Sequence, residues 1–257
     1  MPSRDLLLAD CRPWKWRSCE SAAGLVYVDP HSGLLCASLG SGDHRAEVKL
    51  DTAASNPAGV SSRAVYRWRT YLPADYPRDD RWQILAQWHD IWDPPPEHAA
   101  RYPAGMYFQA PPPLSLSLFS EQLVLQAAMI LRRPAEVVAD PRTGRLAYAR
   151  VPLRKSRVEL GAMPFGRWVS VEMLVDWSTD DDGGLKVLID GRQAGNHDGP
   201  NLYNNRGNHF KIGLYRHVDI TSAARVYHAE IEVEARWFDL AEGLPAPRTD
   251  CPPYPGQ

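Results

Sequence analysis

The sequence predicts an all-β fold, a two-sheet sandwich of the jelly-roll kind. Three observations lead there. Apolar side chains recur at every second position in segment after segment, the period of a strand with one buried face. Helical periodicity is scarce. Gly, Pro, Asn and Asp separate the periodic segments at short intervals, as turns do between strands. The length of 257 residues suits one large all-β domain, expected to run over 1–257.

The elements follow in chain order. In Arg45-Ala46-Glu47-Val48-Lys49, two apolar residues face one way and three charges the other. Ala64, Tyr66, Trp68 and Thr70 alternate with Val65, Arg67 and Arg69. The run from Trp82 to Ala86 leads into Gln87-Trp88-His89. Leu114, Leu116 and Leu118 alternate with serines, and Leu123, Leu125, Ala127 and Met129 continue after a polar break. Val169, Val171, Met173, Val175 and Trp177 alternate with Ser170, Glu172, Leu174 and Asp176, and Leu185, Val187 and Ile189 run into Asp190-Gly191, a hairpin turn signal. Phe210, Ile212 and Leu214 alternate with Lys211, Gly213 and Tyr215, and Tyr227, Ala229, Ile231, Val233, Ala235 and Trp237 predict a last long strand. Glu97 to Arg101 suits one helical turn. It lies in an irregular segment bracketed by Asp93-Pro94-Pro95-Pro96 and Pro111-Pro112-Pro113, long enough to be a wall or lid.

Composition excludes several classes of protein. A net charge of −2 gives no global field for nucleic acid, so a polyanion site must be a local patch. No apolar run approaches the roughly 18 residues of a membrane span. Leu6 to Ala9 is too short for the core of an export signal. Cys11, Cys19, Cys36 and Cys251 contain no CxxC pair, which argues against zinc and leaves two disulfides or buried thiols open. No nucleotide-binding glycine loop and no G-x-S-x-G element is present.

Four pieces carry chemistry. Arg45, Glu47 and Lys49 share one face of a strand. Gln87 and His89 share a face because they are two apart. Lys211 and Tyr215 flank Gly213, whose missing side chain leaves an opening over the strand. Asp198-Gly199-Pro200-Asn201-Leu202-Tyr203 is a turn-rich loop with oxygen ligands suited to a wall or a structural Ca²⁺. Taken singly, these also read as solvated faces, a satisfied core histidine and an ordinary loop.

Together and in order, they resemble the jelly-roll polysaccharide lyases. The alginate lyase branch carries motifs of the form Arg-x-Glu-Leu-Arg, Gln-x-His and Tyr-Phe-Lys-x-Gly-x-Tyr. Here stand Arg45-Ala46-Glu47-Val48-Lys49, Gln87-Trp88-His89 and His209-Phe210-Lys211-Ile212-Gly213-Leu214-Tyr215. The stretch Phe210 to Arg216, with Asp190-Gly191 and Gly199-Pro200-Asn201, looks closer to the heparin lyase-like and glucuronan lyase branch. Lys49, Val48, His209 and His217 depart from the alginate pattern.

The resemblance implies a concanavalin-like sandwich that cleaves a uronic-acid polymer by β-elimination, with glucuronan the first expectation and alginate or a glycosaminoglycan next. The enzyme must neutralise the uronate carboxylate, remove the C5 proton and protonate the O4 leaving group. Gln87 and Arg45 are expected to neutralise. Tyr215 is expected to serve as both base and acid if the C5 proton and O4 leave on the same side, and His89 as base with Tyr215 as acid if they leave on opposite sides. A phenol ordinarily titrates near pH 10, so base duty calls for cations alongside, which Lys211 and Arg45 would supply. Lys211, Glu47, Lys49, Trp88, Asn201 and Arg216 are expected to hold substrate. No cofactor is required. The expected partner is the anionic polysaccharide, met by a secreted or periplasmic monomer that needs no nucleic acid or membrane. A non-catalytic carbohydrate-binding jelly roll is the first alternative. A glycoside hydrolase is the second, although Glu230, Glu232 and Glu234 form the only tight same-face acidic cluster.

Overall fold

The computed structural model describes residues 16–22, 25–28, 34–50, 63–90, 112–119, 124–130, 137–139, 146–148, 155–202 and 208–235. In chain order the strands are β1 (Trp16–Ala22), β2 (Leu25–Val28), β3 (Leu35–Leu39), β4 (Arg45–Leu50), β5 (Arg63–Tyr71), β6 (Gln83–Asp90), β7 (Leu114–Phe119) and β8 (Val124–Ile130). They continue as β9 (Val137–Ala139), β10 (Leu146–Tyr148), β11 (Lys155–Ala162), β12 (Trp168–Asp176), β13 (Gly184–Ile189), β14 (Arg192–Asp198), β15 (Asn208–Arg216) and β16 (Ala224–Ala235). The predicted helical turn at 97–101, most of the proline-bracketed segment, Tyr203 and Trp237 lie outside the described residues.

Two antiparallel seven-stranded sheets make the sandwich. One has the order β1-β4-β15-β6-β7-β8-β11 and the other β14-β13-β12-β5-β16-β3-β2, while β9 and β10 pair as a separate ribbon. This is the predicted jelly roll. Sequence neighbours such as β4 and β5 sit in opposite sheets, so the chain crosses the sandwich repeatedly and brings β4, β15 and β6 side by side.

The alternation read from the sequence sets the core. Ala46, Val48, Ala86, Trp88, Leu114, Leu116, Phe210, Ile212 and Leu214 point inward from the first sheet. Tyr66, Trp68, Val169, Val171, Met173, Val175, Leu185 and Val187 meet them from the second. Trp88 sits at the centre, with ring centroids 4.9 Å from Tyr66 and 5.0 Å from Phe210. The Trp177 indole donates to the Tyr66 hydroxyl at 3.0 Å. Each such ring removes enough apolar surface from water to contribute roughly 2–3 kcal/mol.

The Asp190-Gly191 signal is a two-residue hairpin, with φ of 51° and 73° and Ile189 registered on Arg192. Asp190 ties this turn to β12 by accepting from the Ser170 amide at 2.9 Å.

The last strand departs from the predicted alternation. Ala224, Val226 and His228 are buried, and then the inward positions shift to Ile231 and Val233. A bulge between Ala229 and Glu232, with Glu230 at φ 51°, inserts one residue against β5. Tyr227 therefore faces outward, half-buried, and its ring lies 6.1 Å from that of Tyr71.

Candidate active site

The outer face of the first sheet gathers the three predicted strand motifs. In register, Lys211 faces Lys49 on one side and Gln87 on the other. Gly213 faces Glu47, Tyr215 faces Arg45, and His209 faces His89. Because cross-strand partners share a face, Arg45, Glu47, Lys49, Gln87, His89, Lys211 and Tyr215 all lie on the side away from the core. Ser115 and Ser117 of β7 extend the row.

Gly213 explains how β4 and β6 communicate although β15 separates them. The Gln87 amide Nε2 donates to Glu47 Oε1 at 2.6 Å and Oε2 at 2.9 Å. That contact crosses β15 on the face where Gly213, level with Glu47, carries no side chain. A Cβ on Gly213 would stand 2.2 Å from the Ala46 carbonyl oxygen, so β4 approaches here more closely than any other residue permits.

Glu47 is fully buried and also accepts from Arg45 Nε at 2.7 Å. One carboxylate therefore orients both an amide and a guanidinium. The Arg45 guanidinium carbon lies 4.8 Å from the centre of the Tyr215 ring. Trp82 meets the same ring edge-on at 5.0 Å, and His44 lies at 6.4 Å. Trp82 also packs edge-on against His217 at 5.8 Å. The sequence reading had no role for Trp82 or His44. Neither falls in a strand motif, and only the turn of the chain at each strand's end brings them to Tyr215.

Sharing a face does not make His89 and Tyr215 neighbours. His89 is level with His209, and Tyr215 stands six residues farther along β15. Six residues of extended strand span roughly 20 Å. Tyr215 is grouped with Arg45, and His89 lies beyond Gln87 and Lys211.

Three residues expected at the substrate are elsewhere. Trp88 is in the centre of the core, fully buried, because it alternates with Gln87 and His89 and so takes the opposite face. Arg216 is fully buried as well. Its guanidinium donates to the carbonyl oxygens of Gly40, Asp43 and Ser222 and ties the turn before β4 to the end of β15. Asn201 lies in the loop after β14, at the end of the other sheet, where it accepts from the Ser178 amide and donates to the carbonyls of Asp176 and Gly184. Its side chain closes the β12–β13 end and is committed to backbone.

Among the described residues, no group of three or more His, Cys, Asp or Glu is arranged to hold a metal ion. Cys36 is a free thiol, held above its ordinary range chiefly by burial. Glu230, Glu232 and Glu234 are exposed on the second sheet. Glu234 pairs with Arg67 at 2.9 Å and Glu230 with Arg69 at 3.8 Å, a solvated charge ladder and not a hydrolase site.

The sequence carrying this sandwich matches the polysaccharide lyase family. The chain belongs to that family, whose profile matches residues 20–232. Among solved structures, it is similar to the endo-β-1,4-glucuronan lyase of the fungus Trichoderma reesei, at 14% identity with a TM-score of 0.60, covering 86% of this chain and 91% of that one. It is also similar to the alginate lyase vAL-1 from Chlorella virus, at 9% identity with a TM-score of 0.54, covering 90% and 97%. The alginate lyase AlyC3 matches at 15% identity with a TM-score of 0.53, covering 81% and 77%. No curated protein matches the sequence.

Proposed function

We propose that this lyase cleaves a uronic-acid polymer by β-elimination, with Tyr215 as the acid–base group and glucuronan as the first substrate to test. The observation that carries the reading is the Tyr215–Arg45 pair on one sheet face, with Arg45 bonded to the Glu47 carboxylate that also holds Gln87. In this scheme deprotonated Tyr215 takes the C5 proton. The electrons form the C4–C5 double bond, the C4–O4 bond breaks, and O4 takes the proton back from Tyr215. Arg45, oriented by Glu47, faces the substrate carboxylate as charge grows on it.

The register favours this division of labour over one in which His89 is the base. A phenol and an imidazole separated by roughly 20 Å of strand serve different sugar units. His89 then binds a neighbouring unit, with Lys211 and Lys49 alongside. Lys49 and Lys211, level across β4 and β15, place two ammonium groups on the face where an acidic polymer would lie.

The neighbours named above are lyases of glucuronan and alginate, which supports a uronate substrate in this chain. The scheme uses no cofactor, and a polymer of this kind is met outside the cytoplasm, by a monomer whose row is complete in one chain. The test is a panel of glucuronan, alginate and heparin-type polymers followed by the ultraviolet absorbance of unsaturated uronate ends. Glucuronan is expected to give the fastest rise. Absence of unsaturated ends from every polymer would remove the β-elimination reading.

A further inference from the structure

Behind the Tyr215 row, on the core side, lies a polar chain that the elimination scheme does not use. His228 of β16 belongs to the second sheet, yet its Nε2 lies 3.1 Å from the carbonyl oxygen of Gly213 on β15, in the first. Its Nδ1 lies 3.1 Å from Thr70 Oγ1, and Thr70 Oγ1 lies 2.9 Å from the Trp68 indole nitrogen. His228 and Thr70 are both fully buried.

The direction of every bond follows from donor chemistry. A carbonyl only accepts, so His228 Nε2 carries the proton. Nδ1 is then the acceptor and takes the Thr70 hydroxyl proton. The Thr70 oxygen in turn accepts from Trp68, whose indole only donates. The chain runs from Trp68 through Thr70 and His228 to Gly213, and each group is used once.

Its end point is where β15 leaves the regular ladder. Ile212 registers on Ala86 and Tyr215 on Ile84, which leaves Gly213 and Leu214 without register partners on β6. Gly213 has φ +150°, and glycine is the residue least able to hold one backbone conformation by itself. On the β4 side the register continues through Glu47 and Ala46, so it is on the β6 side that the Gly213 carbonyl lacks a strand partner and meets His228 instead. The Gly213–Leu214 peptide plane is rigid, so fixing its carbonyl fixes the direction in which the chain leaves for Tyr215. Bulges re-aim the side chains that follow them.

We infer that His228 is a positioning residue for Tyr215: by holding the Gly213 carbonyl across the sandwich it sets the bulge that presents the phenol beside Arg45. The inference rests on the reading of Tyr215 as the acid–base group and adds the device that aims it. Without the imidazole donor, the Gly213–Leu214 peptide is released to turn back toward β6, and the phenol shifts along the row.

The test compares His228→Leu with His228→Gln, whose amide nitrogen reaches near the place of His Nε2 and restores a donor to Gly213. Misplacement of a reacting group by about 1 Å can lower turnover by about a hundredfold, so His228→Leu is expected to lose about ten- to hundredfold in kcat with KM little changed. His228→Gln is expected to recover most of it. Both are assayed at temperatures where circular dichroism shows them folded. A second readout needs no turnover. In ¹³C-labelled tyrosine spectra, the ring signal of Tyr215, assigned by its absence in Tyr215→Phe, should move in His228→Leu and return in His228→Gln. An unmoved ring signal in folded His228→Leu overturns the inference, as does a loss of kcat that Gln fails to restore. If the wild-type protein eliminates no uronate polymer, the acid–base reading falls, and the ring signal alone decides whether His228 places Tyr215.

Discussion

Gln87 and Glu47 join hands across a strand that belongs to neither of them. The amide nitrogen on β6 reaches the carboxylate on β4 across β15. The same carboxylate holds Arg45, so two groups of the row depend on one buried charge. Removing a partner from a buried charge cluster is more damaging than its net worth suggests, because the remaining groups stay desolvated and unmatched.

Glu47→Ala is therefore expected to destabilise the protein by about 3 kcal/mol, and Glu47→Gln by less, since an amide still offers an acceptor. Urea unfolding reads both. Activity should fall in both, because Arg45 loses its charged anchor. A Glu47→Ala protein as stable as the parent would show that the cluster contributes nothing to the fold.

Tyr215→Phe removes one oxygen and leaves the ring between Arg45 and Trp82. Turnover should drop by about 10²–10⁴-fold, the usual range for a positioned acid–base group, with little change in melting temperature. His89→Asn should raise KM more than it lowers kcat. If His89→Asn lost as much kcat as Tyr215→Phe, the base would be the imidazole and the register argument would fail.

Gly213→Ala is expected to be severe although the change is one methyl group. The new Cβ would lie 2.2 Å from the Ala46 oxygen and 2.8 Å from Glu47 Cα, both backbone atoms with no freedom to move aside. Overpacking and the unfavourable φ together should remove about 3 kcal/mol or more. Thermal unfolding measures it, and a shift no larger than that of a surface substitution would contradict the close approach of β4.

Acid should expose the buried imidazole. Burial pushes His228 down to about 4 from an ordinary 6.5, against the opposing pull of the Gly213 carbonyl. Between those values the unfolded chain holds a proton that the folded chain excludes, so stability rises with pH. The contribution is complete above pH 6.5 and disappears as pH falls toward 4, roughly 3 kcal/mol in all. Urea unfolding at neutral and acidic pH should show the parent losing more stability than His228→Gln. Equal losses in the two proteins would mean that His228 titrates normally.

Asn201→Ala tests the reassignment of a residue from substrate to scaffold. It strips partners from the Ser178 amide and from the Asp176 and Gly184 carbonyls, and a loss of roughly 2–3 kcal/mol is expected. At temperatures where the variant is folded, kcat and KM should match the parent. A large rise in KM with stability intact would return Asn201 to the groove.

Much of this was legible in single strands. The alternation in 64–70, 114–118 and 169–177 reads directly as core and surface. Lys211 and Tyr215 face away from Phe210, Ile212 and Leu214 as a period of two requires. The same rule places Trp88 in the core, because it lies between two residues of the outer face. Arg216 and Asn201 depart from expectation for another reason. A charged or amide side chain looks functional until the backbone carbonyls and amides that claim it are in view. The bulges in β6, β15 and β16 left no trace in the pattern, since an inserted residue resembles its neighbours.

The sequence by itself determined the central strands, the faces they show away from bulges and the chemical types available, because side-chain alternation is a local property of extended backbone. Tertiary structure alone decided that β15 would lie between β4 and β6, that Gln87 would meet Glu47 across β15, and that His228 would reach through the core to the strand of Tyr215. Those contacts join residues far apart in the chain, and which strands become neighbours is settled by how two whole sheets pack, not by any segment's own periodicity.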